Sequence, residues 1–363
     1  MKTKNLMQTG DRKLKKIIAT LLIFLITASL FTSCGESGPT LRVFNWGEYM
    51  DPSVIDDFEK ETGIKVIYET YETNESMYTK VVNSGKGGSY DIVFPSEYMM
   101  AKMIREDLLH KIDFNNVPNA QLMLDQFKSE PFNSFDPENE YFMPYVWGTV
   151  GIVYDKTQVN EPVTSWNILW NEKYKDNILM KDDQRDSIGI ALKSLGYSVN
   201  STNDKELEEA KHKLIKQRDL VLAYVTDEAR DKMINGEAAL AVMYSGDASY
   251  VMENNEKLAY ALPEEGANVW MDGVCILKSS QNKELAEQFI NFLARADIAQ
   301  KNIDYIQFNS PHKEVVANYP PEKNNSILFN PDQKYITEKC EVYKDLEDYI
   351  SVYSKIWTEV TAN

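Results

Sequence analysis

The chain has 363 residues, 43% of them hydrophobic, with 39 Lys and Arg against 56 Asp and Glu and a formal net charge of −17. That acidity excludes nucleic acid as a partner, because binding there depends on neutralising phosphates with basic side chains. The length exceeds one comfortable core, so two domains are expected.

The N-terminus settles the compartment. Lys2, Lys4, Arg12, Lys13, Lys15 and Lys16 form a positive stretch, and residues 17–31 carry no charge. That apolar run is too short to span a bilayer comfortably. Thr32 and Ser33 then precede Cys34. Residues 1–33 therefore read as an export leader, and the small residues before Cys34 resemble a bacterial lipobox with Cys34 as the lipidated position. Residues 34–40 are a short tether. The leader holds six bases and one acid, five net positive charges, so its removal leaves −22. Such a field concentrates a cationic ligand.

From Thr40 onward, strand and helix patterns alternate, which predicts a largely parallel α/β sheet. Residues 41–44 form a strand, Asp51 caps a helix from Pro52 to Phe58, and Gly63 stops it. A strand follows at 64–68, a helix near 75–83, a turn with Gly85, Gly87 and Gly88, a strand at 91–94 and a helix around 98–107. Residues 141–154 are long and apolar for one strand, interrupted by Gly148 and Gly151, and read as a crossing into a second domain. That domain holds strands at 177–180, 221–225 and 238–244 and helices at 185–195 and 204–218. Residues 268–277 return, and residues 341–360 form a closing helix with Leu346, Ile350, Tyr353 and Trp357 on one face. Two crossings leave a ligand cleft between two lobes.

Three strand ends carry aromatic rings, and acids stand beside them. Trp270 and Asp272 lie two apart in a strand, so both point to one side. Phe44-Asn45-Trp46-Gly47-Glu48-Tyr49 and Tyr244-Ser245-Gly246-Asp247 repeat the pairing. A ring face attracts an organic ammonium and a carboxylate accepts its N–H donors. Other conspicuous residues have plainer readings. Trp166 and Trp170 read as core, as do two of Tyr141, Tyr145 and Trp147; Asp51 and Asp182 read as helix caps. His110, His212 and His312 stand singly, Cys275 reads as a buried small residue apart from Cys340, and no spacing predicts a metal or cofactor. No Ser–His or Cys–His pairing predicts a nucleophile, so the chain is not expected to be an enzyme.

Six motifs in one order carry a resemblance: Phe44–Tyr49, Tyr90-Asp91-Ile92-Val93-Phe94-Pro95-Ser96, Pro144-Tyr145-Val146-Trp147-Gly148, Thr164-Ser165-Trp166, Asp182-Asp183-Gln184-Arg185-Asp186, and Trp270-Met271-Asp272. On these the chain resembles the spermidine/putrescine-binding proteins of bacterial ABC importers, over essentially the whole exported sequence. The resemblance implies a two-lobed periplasmic-binding-protein fold of type II, with two crossing strands as the hinge. One lobe would comprise residues 41–150 and 272–316, the other 151–271 and 317–363. It implies a polyamine ligand, importer permease subunits as partners, and a place at the outer face of the cytoplasmic membrane, lipid-anchored, or in the periplasm.

Carried over by position, Trp46 and Tyr49 form part of an aromatic box. Ser96 and Tyr98 offer hydroxyls, Asp183 and Asp186 hold an amine from the second lobe, and Trp270 and Asp272 grip another nitrogen. Tyr244 falls where the family has Trp, Phe308 where Tyr is common, and Tyr343 where spermidine binders have Gln; Gly47 replaces a hydroxyl residue. Asp247 matches an acid of putrescine-preferring relatives. A binder of another small cation and a cleft hydrolase with paired carboxylates are the alternatives.

Overall fold

The computed structural model describes residues 38–85 and 88–362. The leader, Cys34, most of the tether and Gly87 lie outside the described residues. The first half of the chain begins with β1 (Thr40–Trp46), α1 (Pro52–Thr62), β2 (Lys65–Tyr71), α2 (Asn74–Asn83), β3 (Ile92–Val93), α3 (Glu97–Arg105) and β4 (Leu109–His110). The start and stop chemistry of α1 is as expected. Asp51 accepts from the Ser53 amide at 2.8 Å, Pro52 takes the first turn, and Gly63 ends the helix at φ 72°.

Next comes β5 (Phe142–Asp155), followed by β6 (Ile178–Lys181), α4 (Gln184–Ser194), α5 (Asp204–Arg218), β7 (Val221–Val225), α6 (Glu228–Ile234), β8 (Leu240–Tyr244), α7 (Ser245–Asn254) and β9 (Leu258–Ala261). β10 (Val269–Leu277), α8 (Lys283–Leu293), α9 (Ala296–Ile306) and, after shorter helices, α10 (Ile350–Thr361) complete the set. Residues 341–346 are not helical, contrary to the sequence expectation. Their backbone is drawn to the sheet instead: the Val269 amide donates to the Glu341 carbonyl at 3.0 Å and the Glu341 amide to Ala267 at 3.1 Å.

The strands run in the order β2-β1-β3-β10-β5-β8-β6-β7, with β4 on β10 and β9 on β5. β1 and β3 are parallel at one end and β6 is parallel to β7 and β8 at the other. The centre is antiparallel, since β10 pairs antiparallel with β3 and β5, and β5 with β8 and β9. The largely parallel sheet predicted from the alternating pattern therefore holds only at the flanks. A strand that crosses and one that returns must oppose each other. β5 meets β10 through Thr149 and β8 from Val150 on, so one 14-residue strand serves both halves.

The apolar core follows these strands. Every residue of β10 is buried, as is the β6 segment Ile178 to Met180, the pattern of strands covered on both faces. α10 lays Tyr353, Ile356 and Val360 against Ile188, Leu192, Leu207 and Leu214 of α4 and α5. Trp166 is core, with its indole N–H on the Gly266 carbonyl at 2.7 Å. Tyr145 and Trp147 are buried too, and Cys275 and Cys340 are separate buried thiols.

Gly151 does not break β5, as its place in the sequence led us to expect. It lets β9 approach: a Cβ there would lie 2.4 Å from Tyr260 Cζ and 2.7 Å from the Ala261 carbonyl oxygen. Gly151→Ala is therefore expected to destabilise the protein by about 1–3 kcal/mol, the usual cost of overpacking. Urea denaturation should show a lower midpoint with an unchanged slope; an unchanged midpoint would mean β9 has room to move.

Candidate functional site

Two buried carboxylates stand at opposite ends of a row of rings. The first is Asp272, in the middle of β10 and 4% exposed. After β1, Glu48 takes the left-handed conformation at φ 51° in a tight turn that leads into Tyr49. The Tyr49 hydroxyl donates to Asp272 Oδ2 at 2.6 Å. Asp272 Oδ1 is buried with no hydrogen-bond partner among the described residues. Burial pushes this carboxyl up to about 6, against the opposing pull of the Tyr49 and Ser96 hydroxyls. An acceptor oxygen left dry in this way is suited to an N–H donor from a ligand.

The rings run on from there. Trp46 lies 6.3 Å from Tyr49, Tyr49 5.8 Å from Phe308, Phe308 5.2 Å from Trp270, and Trp270 5.8 Å from Tyr244, all tilted or edge-on. Phe308 reaches Trp270 because Gly246 opens α7; a Cβ on that residue would fall 1.9 Å from the Phe308 ring. Trp46 is fixed by its indole N–H on the Phe94 carbonyl at 2.8 Å.

The second carboxylate is Asp186, in the first turn of α4 and 2% exposed. Its two oxygens accept from the Tyr244 hydroxyl at 2.6 Å and the Tyr343 hydroxyl at 2.8 Å. Burial, then the neighbouring Asp183, push it up to about 6, while Lys181 pulls it back. Asp183 caps α4, its Oδ1 accepting from the Arg185 amide at 2.7 Å and the Asp186 amide at 2.9 Å.

The sequence and fold match a known group of proteins. Residues 53–330 fit the model of bacterial extracellular solute-binding proteins. The chain is 36% identical over 324 residues to the spermidine/putrescine-binding periplasmic protein of Salmonella typhimurium, covering 89% of this chain and 92% of that one. It belongs to this family. Among solved structures, the spermidine/putrescine transporter substrate-binding protein of Streptococcus pneumoniae superimposes with a TM-score of 0.79 at 38% identity, over 89% of this chain and 98% of its own. A lipoprotein of Treponema pallidum gives a TM-score of 0.79 at 28% identity, over 88% and 99%. The two-lobed binding-protein fold, with β5 and β10 crossing between lobes, is thus the fold of this chain.

In this solute-binding protein the residues expected from sequence fall into three groups, apart from Asp183, whose Oδ1 caps α4. Trp46, Tyr49, Trp270, Asp272, Phe308, Tyr244, Asp186 and Tyr343 form the connected row just described. Ser96 and Tyr98 stand beside it, held by Asn74, whose amide donates to both hydroxyl oxygens at 3.1 Å. Asp247 is the exception. Arg230 of α6 takes its Oδ1, with Nε at 2.8 Å, because a carboxylate 9% exposed needs a counter-charge and this guanidinium lies closest. The cap of α4 is Asp183 and not Asp182: the helix begins at Gln184, so only the residue before it reaches the amides of the second and third positions. Arg185 turns away from both acids and stacks 4.5 Å from the Tyr343 centroid, with its guanidinium on the Lys344 carbonyl and Asn200.

Sequence reasoning missed Asn74, Lys181 and Glu97. Nothing in the chain marks Glu97 as buried, since an acid at a helix start ordinarily faces water and the dipole. Here it is 1% exposed and accepts the amides of Met271 and Tyr343, each at 3.2 Å, tying β10 to the 341–346 segment. Burial pushes its carboxyl up to about 8, despite those amides. The folded state therefore holds this proton more tightly than the unfolded chain, whose Glu titrates near about 4.3. Stability from this group is complete below that value and is lost as pH rises through about 8. In urea titrations of the ligand-free protein, stability should fall between about pH 6 and pH 9. Glu97→Gln should flatten that fall and change stability at the lower pH by no more than about 1.5 kcal/mol, one hydrogen bond. A parent profile flat across the window would contradict a neutral Glu97.

Proposed function

We propose that this chain is the substrate-binding component of a bacterial ABC importer and that it captures a polyamine, putrescine or spermidine, for delivery to the permease. One observation carries the reading: two buried carboxylates, Asp272 and Asp186, at the ends of a continuous row of rings. An aliphatic polyamine has one ammonium group to donate to Asp272, a further one for the charge of Asp186 to attract, and methylenes to lie against the ring faces. The Asp272 Oδ1 atom is the point where one ammonium docks. An amino acid would need a cationic clamp for its carboxylate, and Arg185 is already spent on Tyr343, Lys344 and Asn200. The names of the relatives at 36% and 38% identity support the same ligand class. The role is binding without turnover, in keeping with a family of solute-binding proteins.

The chain acts outside the cytoplasm, after export by its leader, with Cys34 as the lipid attachment point and residues 35–40 as tether. The Treponema relative is itself a lipoprotein. Among the described residues no helix is long and apolar enough to cross a membrane, so attachment would rest on the lipid.

Calorimetric titration with putrescine, cadaverine, spermidine and spermine tests the ligand class, with glutamate and arginine as controls. Polyamine binding should lose roughly 3–5 kcal/mol in Asp272→Asn, because a buried ammonium is left without its partner. Asp186→Asn should lose less, since two tyrosine hydroxyls already satisfy that acid. Amino-acid binding that excess spermidine fails to displace would defeat the reading; equal losses in the two variants would remove Asp272 as the anchor.

A further inference from the structure

Lys181 is the last residue of β6, just before the acidic turn that starts α4. A lysine side chain is only rarely buried, yet this one is 7% exposed, and its ammonium lies 4.1 Å from the Tyr244 ring centroid. The hydroxyl of that same ring donates to Asp186. Cation, ring and carboxylate thus form one group at the second-lobe end of the row. Chemically it is the group that a bound amine would form there, because a lysine is a four-carbon chain ending in a compact ammonium. The charge reaches Asp186 as well, where Lys181 opposes the upward push of burial. The first-lobe end is different. Asp272 meets the Tyr49 hydroxyl there and keeps one oxygen without a partner among the described residues.

We infer that Lys181 is a resident ammonium that fills the outermost amine position of the binding row and so makes the site select a diamine over a triamine. The inference rests on the polyamine reading above and says which polyamine that site prefers. A diamine places one ammonium on Asp272 and its methylenes along Phe308 and Trp270, and its second ammonium stops short of Tyr244. A triamine extends a further protonated amine toward Lys181, where two like charges meet in surroundings that screen them poorly. Asp186 offsets that approach only in part, because its two oxygens already accept from Tyr244 and Tyr343. The aliphatic stem of Lys181 adds bulk to the same end.

The test is calorimetric titration of the intact chain with putrescine and with spermidine, in the parent, Lys181→Met and Lys181→Arg. The parent should bind putrescine more tightly. Lys181→Met should raise the ratio of spermidine to putrescine affinity by about tenfold, the scale of one like-charge contact removed. Lys181→Arg keeps the charge and should keep the parental preference. Tighter spermidine binding by the parent overturns the inference and needs no variant, so it decides the matter even if Lys181→Met fails to fold. An unchanged ratio in a folded Lys181→Met, confirmed by thermal melting, overturns it too. A parent that binds neither amine instead defeats the polyamine reading on which the inference rests.

Discussion

A carboxylate taken out of water must be given hydrogen bonds or a counter-charge. Asp272 receives the Tyr49 hydroxyl on one oxygen and the weaker pull of the nearby Ser96 hydroxyl, while its Oδ1 makes no hydrogen bond among the described residues. Much of the site can be understood as the surroundings that make this incomplete solvation tolerable. Asp272 sits in β10, where a register shift follows it before Gly273, and β10 itself is clamped between β3 and β5. The turn through Glu48 brings Tyr49 to it, and the Tyr49 carbonyl is in turn held by the Tyr145 hydroxyl from β5 at 2.7 Å. The acid is thus fixed by its own strand, by the turn after β1 and, through Tyr49, by β5.

The same logic applied to three other acids gives three different outcomes. Asp186 is satisfied twice over by tyrosines and once more at a distance by Lys181. Asp247 is neutralised by Arg230. Glu97 keeps its proton and accepts two backbone amides. Of these four acids, only Asp272 keeps a fully buried oxygen with no hydrogen bond among the described residues, and that contrast is what favours it as the docking point in the proposed function.

Much of this was legible in the sequence because it depends on short-range rules. Trp270 and Asp272 share a side because a strand alternates every residue, and Asp51, Pro52 and Gly63 bound α1 by cap chemistry that needs no tertiary context. The residues that escaped depend on what the chain brings from far away. Asp247 and Arg230 are 17 apart, Glu97 and Tyr343 are 246 apart, and neither pairing leaves a periodic trace. The antiparallel centre escaped for the same reason: alternating strands and helices report local order, whereas the direction of β5 against β10 is set by the two crossings. Lys181 carried one readable sign, a charge ending the apolar run Ile178 to Met180. Its place over Tyr244 could not be read, since the ring comes from β8.

If Asp272 and Asp186 both sit near pH 6 because they are buried, then an ammonium docking on Asp272 must drive off a proton that the free protein partly retains. Titrating putrescine into the protein at about pH 6, in two buffers of different ionisation enthalpy, measures that proton directly. The account predicts release of a substantial fraction of one proton per ligand, shrinking toward zero by about pH 8 as both acids ionise in the free protein. Heat that is independent of the buffer at the lower pH, or a proton taken up, would contradict a buried and partly protonated carboxylate as the anchor.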